Sequence, residues 1–121
     1  FRTIKQQQTL WNSQVEKSGS EQKAAQFNAS PGYSEYHTDY AVYLGDCQFI
    51  NVDLTQEFEK TKSFQWLKNH DKEYGFEMSF PVNNSQGISY EPWHLRFIKS
   101  SSATAIFANA KKLIFRIFKH P

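Results

Sequence analysis

Apolar residues recur at helical spacing over residues 4–18, where Ile4, Trp11 and Val15 share one face and Gln6, Gln7, Gln8, Asn12 and Glu16 lie elsewhere. Thr3 supplies an N-cap oxygen and Gly19 a stop. Ser20 caps a second short helix over 20–27, and Ser30-Pro31-Gly32 breaks the pattern. Residues 40–44 (Tyr-Ala-Val-Tyr-Leu) read as a strand ended by Gly45-Asp46, and 48–53 as another. From Thr55 to Tyr74 the spacing of Phe64, Leu67 and Tyr74 predicts one or two helices, closed by Gly75. Phe76, Met78 and Phe80 alternate with Glu77 and Ser79, the mark of a strand with one buried face. After a polar loop over 81–87, Trp93, Leu95 and Phe97 alternate with His94 and Arg96. A last helix starts near Ser102. This order predicts an α+β fold, a small antiparallel sheet with helices packed on it.

The chain has 121 residues, a length that suits a single compact domain over 1–121. Hydrophobic residues make up 39% and aromatics 17%, enough for one core and for a cleft rich in flat rings. A net charge of +2 argues against a dedicated nucleic-acid binder. Cys47 stands alone, which excludes an intrachain disulfide and a cysteine-based zinc knuckle. No apolar run is long enough to span a bilayer, and no signal peptide is present. Basic residues crowd residues 111–121, where Lys111, Lys112, Arg116 and Lys119 alternate with Leu113, Ile114, Phe115, Ile117 and Phe118. That extension reads either as a membrane-surface amphipathic helix or as a final helix packed on the sheet, and the second reading is preferred.

Two stretches carry chemistry. The first runs Pro31-Gly32-Tyr33-Ser34-Glu35-Tyr36-His37-Thr38-Asp39-Tyr40-Ala41-Val42-Tyr43; the second is Tyr74-Gly75-Phe76 followed by Gly87-Ile88-Ser89-Tyr90-Glu91-Pro92-Trp93-His94-Leu95-Arg96. Together they resemble the VanY-type zinc D-alanyl-D-alanine carboxypeptidases, whose first motif reads SxHxxGxAxD and whose second reads EPWHxR. Phe1-Arg2-Thr3 resembles the end of that family's SGYRS segment. The resemblance runs to about Lys111 and implies that the family's N-terminal part is missing here. It also implies a cell-envelope or extracellular setting and a peptidoglycan stem peptide ending in D-Ala as the ligand, with the protein working as a monomer.

In that family, zinc is held by a His and an Asp of the first motif and the His of the second. Zinc acidifies a water, and the Glu three residues before the second His takes its proton. By this resemblance Glu91 corresponds to the base and His94 to the last zinc ligand. Arg2 corresponds to the arginine that grips the substrate's terminal carboxylate with its planar fork of donors. Ser34 corresponds to a serine lining the substrate pocket. Tyr36 stands at the first ligand position and Tyr43 at the aspartate position, with Asp39 at the glycine between them.

A phenol with a reference pKa near 10 is a poor zinc ligand at neutral pH. The expectation is therefore a degenerate site, with zinc absent or weakly bound and the enzyme inactive or impaired. A rescue would use His37, Asp39 and His94 as a displaced ligand set in an active metallocarboxypeptidase, but neighbours in an extended segment point to opposite faces. A third reading is a non-catalytic module binding stem peptides or a partner. Arg96 reads as a cleft or surface residue, His70 and Asp71 as solvated, and Cys47 as buried.

Overall fold

The computed structural model describes residues 1–109; the extension over 111–121 lies outside the described residues. Helix α1 spans Ile4–Ser18. The Thr3 side chain accepts from the Gln6 amide while the Gln6 side chain returns a bond to the Thr3 amide, and Gly19 ends the helix at φ 80°. Ser20 caps α2, which is shorter than the spacing predicts, Glu21–Ala24. The residue that α1 buries is polar: Gln7 is 1% exposed, whereas Ile4 is 62% exposed. The apolar stripe of α1 is only half-covered at Trp11 and Val15, while Gln7 is held by the Ala29 carbonyl.

Three strands form one sheet, β1 (Ala41–Tyr43), β2 (Phe76–Met78) and β3 (His94–Phe97), in the order β1-β3-β2 and antiparallel throughout. The predicted α+β architecture with a small antiparallel sheet is what is observed. Residues 48–53 are not a strand: Ile50–Val52 is a 3-10 turn, and Phe49 and Ile50 are exposed. The helical stretch from Thr55 to Tyr74 is broken by Thr61. There a 3-10 turn (Gln56–Lys60) gives way to α3 (Lys62–His70), capped by the Thr61 hydroxyl, and a second 3-10 turn covers Asp71–Tyr74. Residues 101–109 form α4, which buries Ala103 and Phe107. Among the described residues no helix is long and apolar enough to cross a membrane.

Strand β3 is central, so both its edges are hydrogen-bonded, and side chains on both its faces are buried. Leu95 packs into the apolar core, while His94 and Arg96, on the other face, are each 4% exposed. The period-2 pattern identifies the two faces correctly but gives the wrong environment for the polar one. Arg96 is neither a cleft residue nor a surface residue but a buried ion-pair partner, and Cys47 is exposed.

Gly75 joins the last 3-10 turn to β2 at φ 85°, where a Cβ would lie 2.8 Å from Phe97 Cε2. Phe97 is itself packed edge-on against Phe76. Gly75→Ala should therefore combine left-handed strain with overpacking, a loss of roughly 2–5 kcal/mol readable as a lower urea midpoint.

Candidate functional site

The site lies where a 3-10 turn, Glu35–Thr38, crosses the polar face of the sheet. The Ser34 hydroxyl starts that turn by accepting from the Tyr36 amide, and the Thr38 hydroxyl bonds back to the Glu35 carbonyl. Asp39 ends it at φ 64°, a left-handed conformation that favours glycine. Below the turn, antiparallel register sets Tyr43 opposite His94 and places both Ala41 and Glu77 opposite Arg96. The sequence-predicted residues Tyr36, Tyr43, Glu91 and His94 are thus brought together from two motifs about fifty residues apart in the chain.

His94 is clamped between two carboxylates. Its Nδ1 lies 2.9 Å from Glu91 Oε2 and its Nε2 lies 3.0 Å from Glu35 Oε1. Burial works against a charge on the ring, but the hydrogen bonds to Glu35 and Glu91 outweigh it and raise the pKa of His94. The geometry suits an imidazolium that donates from both nitrogens. Glu35 is the residue that sequence reasoning missed. It also accepts from the Ser79 hydroxyl at 2.6 Å and from Arg96 Nη1 at 3.2 Å, and Arg96 Nε reaches Glu77 at 2.7 Å. Burial opposes ionisation of Glu35, yet the His94 hydrogen bond and charge, with help from Ser79 and Arg96, hold its pKa below the usual carboxylate value. An acid inside the first motif and an arginine two residues beyond His94 on the same strand face are the signals that could have found it.

The Tyr36 ring stacks on the His94 ring at 4.4 Å and 23°, and meets Tyr43 edge-on at 6.3 Å. Burial, reinforced by the Glu91 charge, pushes the Tyr36 phenol well above its usual pKa, so it stays neutral. Arg2 sits 4.5 Å over the outer side of this stack and donates to the Gln7 side chain at 2.9 Å. Gln7 in turn donates to the Ala29 carbonyl at 2.6 Å. Gln7, also missed from the sequence, therefore fixes Arg2 relative to the loop that leads into the first motif. His37 faces away from this cluster: its Nδ1 lies 2.6 Å from the Arg2 carbonyl and its Nε2 accepts from the Gly32 amide.

Beside the cluster opens a cleft of about 820 Å³, walled by Arg2, Tyr33, Ser34, Tyr36, Phe80 and Glu91 among others. A cavity of that size with a few convergent polar groups suits a small peptide. Fold and site together are those of an α+β domain with a buried carboxylate–imidazole cluster where the EPWH segment enters β3, and an arginine at the wall of the cleft.

The chain belongs to the VanY family of D-alanyl-D-alanine carboxypeptidases, whose profile matches residues 1–100. It is 30% identical over 111 residues to YodJ of Bacillus subtilis, covering 90% of this chain and 40% of that protein. It is 32% identical over 101 residues to VanXYC of Enterococcus gallinarum, a bifunctional D-Ala-D-Ala dipeptidase and D-Ala-D-Ala carboxypeptidase, covering 81% of this chain and 53% of that one. The solved structure of the LD-carboxypeptidase LdcB superposes with a TM-score of 0.71 at 28% identity, over 96% of this chain and 55% of that one. The chain spans about half the length of the relatives it matches.

Members of the family are zinc peptidases that act on cell-wall peptidoglycan. A catalytic zinc takes three nitrogen, sulfur or carboxylate donors. The two tyrosines at the ligand positions leave His94 as the one standard donor there, and among the described residues no three His, Cys, Asp or Glu side chains form a group that could hold a metal ion.

Proposed function

We propose that this domain binds D-alanine-terminated peptidoglycan stem peptides at the cell envelope and hydrolyses them poorly or not at all. The observation that carries this reading is the contact between Glu91 and His94 Nδ1 beneath the Tyr36 ring. The base and the remaining zinc ligand satisfy each other, and an aromatic ring occupies the space beside them. The cleft next to this contact stays open, with Arg2 held by Gln7 at its wall. A guanidinium there offers a fork of donors to a peptide's terminal carboxylate. The names of the relatives supply the ligand class, since VanXYC acts on D-Ala-D-Ala.

The displaced ligand set of His37, Asp39 and His94 is the less favoured reading. Both nitrogens of His37 serve the backbone of Arg2 and Gly32, and recruiting them would undo the docking of the N-terminal segment.

The test is calorimetry with an N-acetylated peptide ending in D-Ala-D-Ala, alongside a chromatographic assay for released D-alanine in the presence of zinc. Binding without release is expected, and Arg2→Ala should weaken binding at least about tenfold through loss of a charge-assisted contact. Stoichiometric zinc in the purified protein together with D-alanine release would overturn the reading.

A further inference from the structure

Two residues that line the cleft each hold a buried polar atom with no hydrogen-bond partner among the described residues: Gln86 its side-chain amide nitrogen and Tyr36 its hydroxyl. Gln86 is 4% exposed. A buried donor without a partner costs about 1–3 kcal/mol, and native proteins hold few of them. The fold does not need either group for its own geometry. The loop around Gln86 is tied by Asn84, whose side chain accepts from the amides of Gln86 and Ile88 and donates to the carbonyls of Pro81 and Ile88. These bonds set the backbone that sends the Gln86 side chain inward, and they leave its amide nitrogen unused. Tyr36 is fixed in the same way, by its backbone bonds to Ser34 and Arg2 and by ring contacts with His94 and Tyr43. Its hydroxyl contributes to none of them.

Both groups are donors. A tyrosine phenol has a reference pKa near 10 and so carries its proton at neutral pH. Gln86 presents an amide N–H. A ligand that satisfies both must bring acceptors, and carbonyl oxygens of a peptide backbone are acceptors of the right kind. A neutral phenol can hold a carbonyl in place without the polarisation a metal would give.

We propose that Tyr36 and Gln86 are the specificity-determining donors of the cleft, giving hydrogen bonds from Tyr36 Oη and Gln86 Nε2 to carbonyl oxygens of the bound peptide. This rests on the reading of the cleft as a stem-peptide site. It makes the tyrosine at a metal-ligand position a binding residue in its own right.

The experiment uses the whole chain and the same N-acetylated D-Ala-D-Ala peptide, comparing the unaltered protein with Tyr36→Phe, Gln86→Met and Gln86→Glu. Each variant removes a donor while keeping the shape. Affinity should fall about tenfold in each, the size of one hydrogen bond. The thermal midpoints of Tyr36→Phe and Gln86→Met should stay level or rise, because the unpaired buried group is gone. A purely structural role predicts the reverse, lower midpoints with unchanged affinity, and would overturn the proposal. If the unaltered protein binds the peptide and the variants bind it equally well, the proposal fails and the peptide site stands. If the unaltered protein does not bind the peptide, the peptide site and the proposal fall together.

Discussion

Replacing Glu35 with alanine should cost about 3–5 kcal/mol, the usual penalty for removing one partner of a buried ion pair. Domains of this kind have only about 5–15 kcal/mol in total, so the variant would be near its unfolding threshold. Glu35 is 7% exposed and serves three side chains, His94, Ser79 and Arg96. Its removal strands a buried imidazolium and leaves the buried guanidinium with Glu77 alone. Urea denaturation at constant slope reads the loss; a change below about 1 kcal/mol would show that the network is not coupled to folding.

The same cluster sets a pH profile. The pKa of Glu35 is lowered from 4.5, so its contribution is present above that pH and disappears as pH falls through the folded value. The pKa of His94 is raised from 6.5, so its contribution is complete below that pH and disappears as pH rises through the folded value. Stability should therefore peak between about 4.5 and 6.5, and the profile should flatten on both sides in Glu35→Ala.

What could be read from the chain alone follows from how local each feature is. Thr3, Gly19 and Ser20 act within three or four residues, and all three fall where the spacing puts them. The glycine position occupied by Asp39 does adopt positive φ. The EPWH motif announces itself because its residue types are unusual together. Glu35 and Gln7 went unread, and Arg96 was read as a cleft or surface residue, because a polar residue's burial depends on its partner, and those partners are remote. Glu35 meets Arg96 across 61 positions and Gln7 meets Ala29 across 22. Gln7 in particular lies among like residues, Gln6 and Gln8, that are exposed. Alternation along β3 gives its two faces, but only the turn at Glu35–Thr38 decides that the polar face is covered.

Restoring Tyr36→His, Asp39→Gly and Tyr43→Asp together should turn the protein into a stoichiometric zinc binder. Tyr36 and Tyr43 already flank His94, one stacked on its ring and one opposite it in register, so an imidazole and a carboxylate would enter the same small volume. Asp39→Gly relieves a left-handed residue at φ 64°, worth about 1–2 kcal/mol. The smaller side chains leave space where two rings packed, so the metal-free variant should be less stable than the parent. Zinc at about a hundred times its dissociation constant should then return close to 3 kcal/mol, seen as a raised thermal midpoint in the variant and none in the parent. A variant that takes up no more zinc than the parent would mean that damage extends beyond the ligand positions. The arrangement around His94 argues against that outcome. Glu35 accepts from Nε2, as the outer partner of a metal-bound histidine does, and this directs Nδ1 toward Glu91. A zinc ion held there would compete with Glu91 for His94, and Glu91 would then be free to handle a proton. The restored site would then have its third ligand already oriented and its carboxylate within reach.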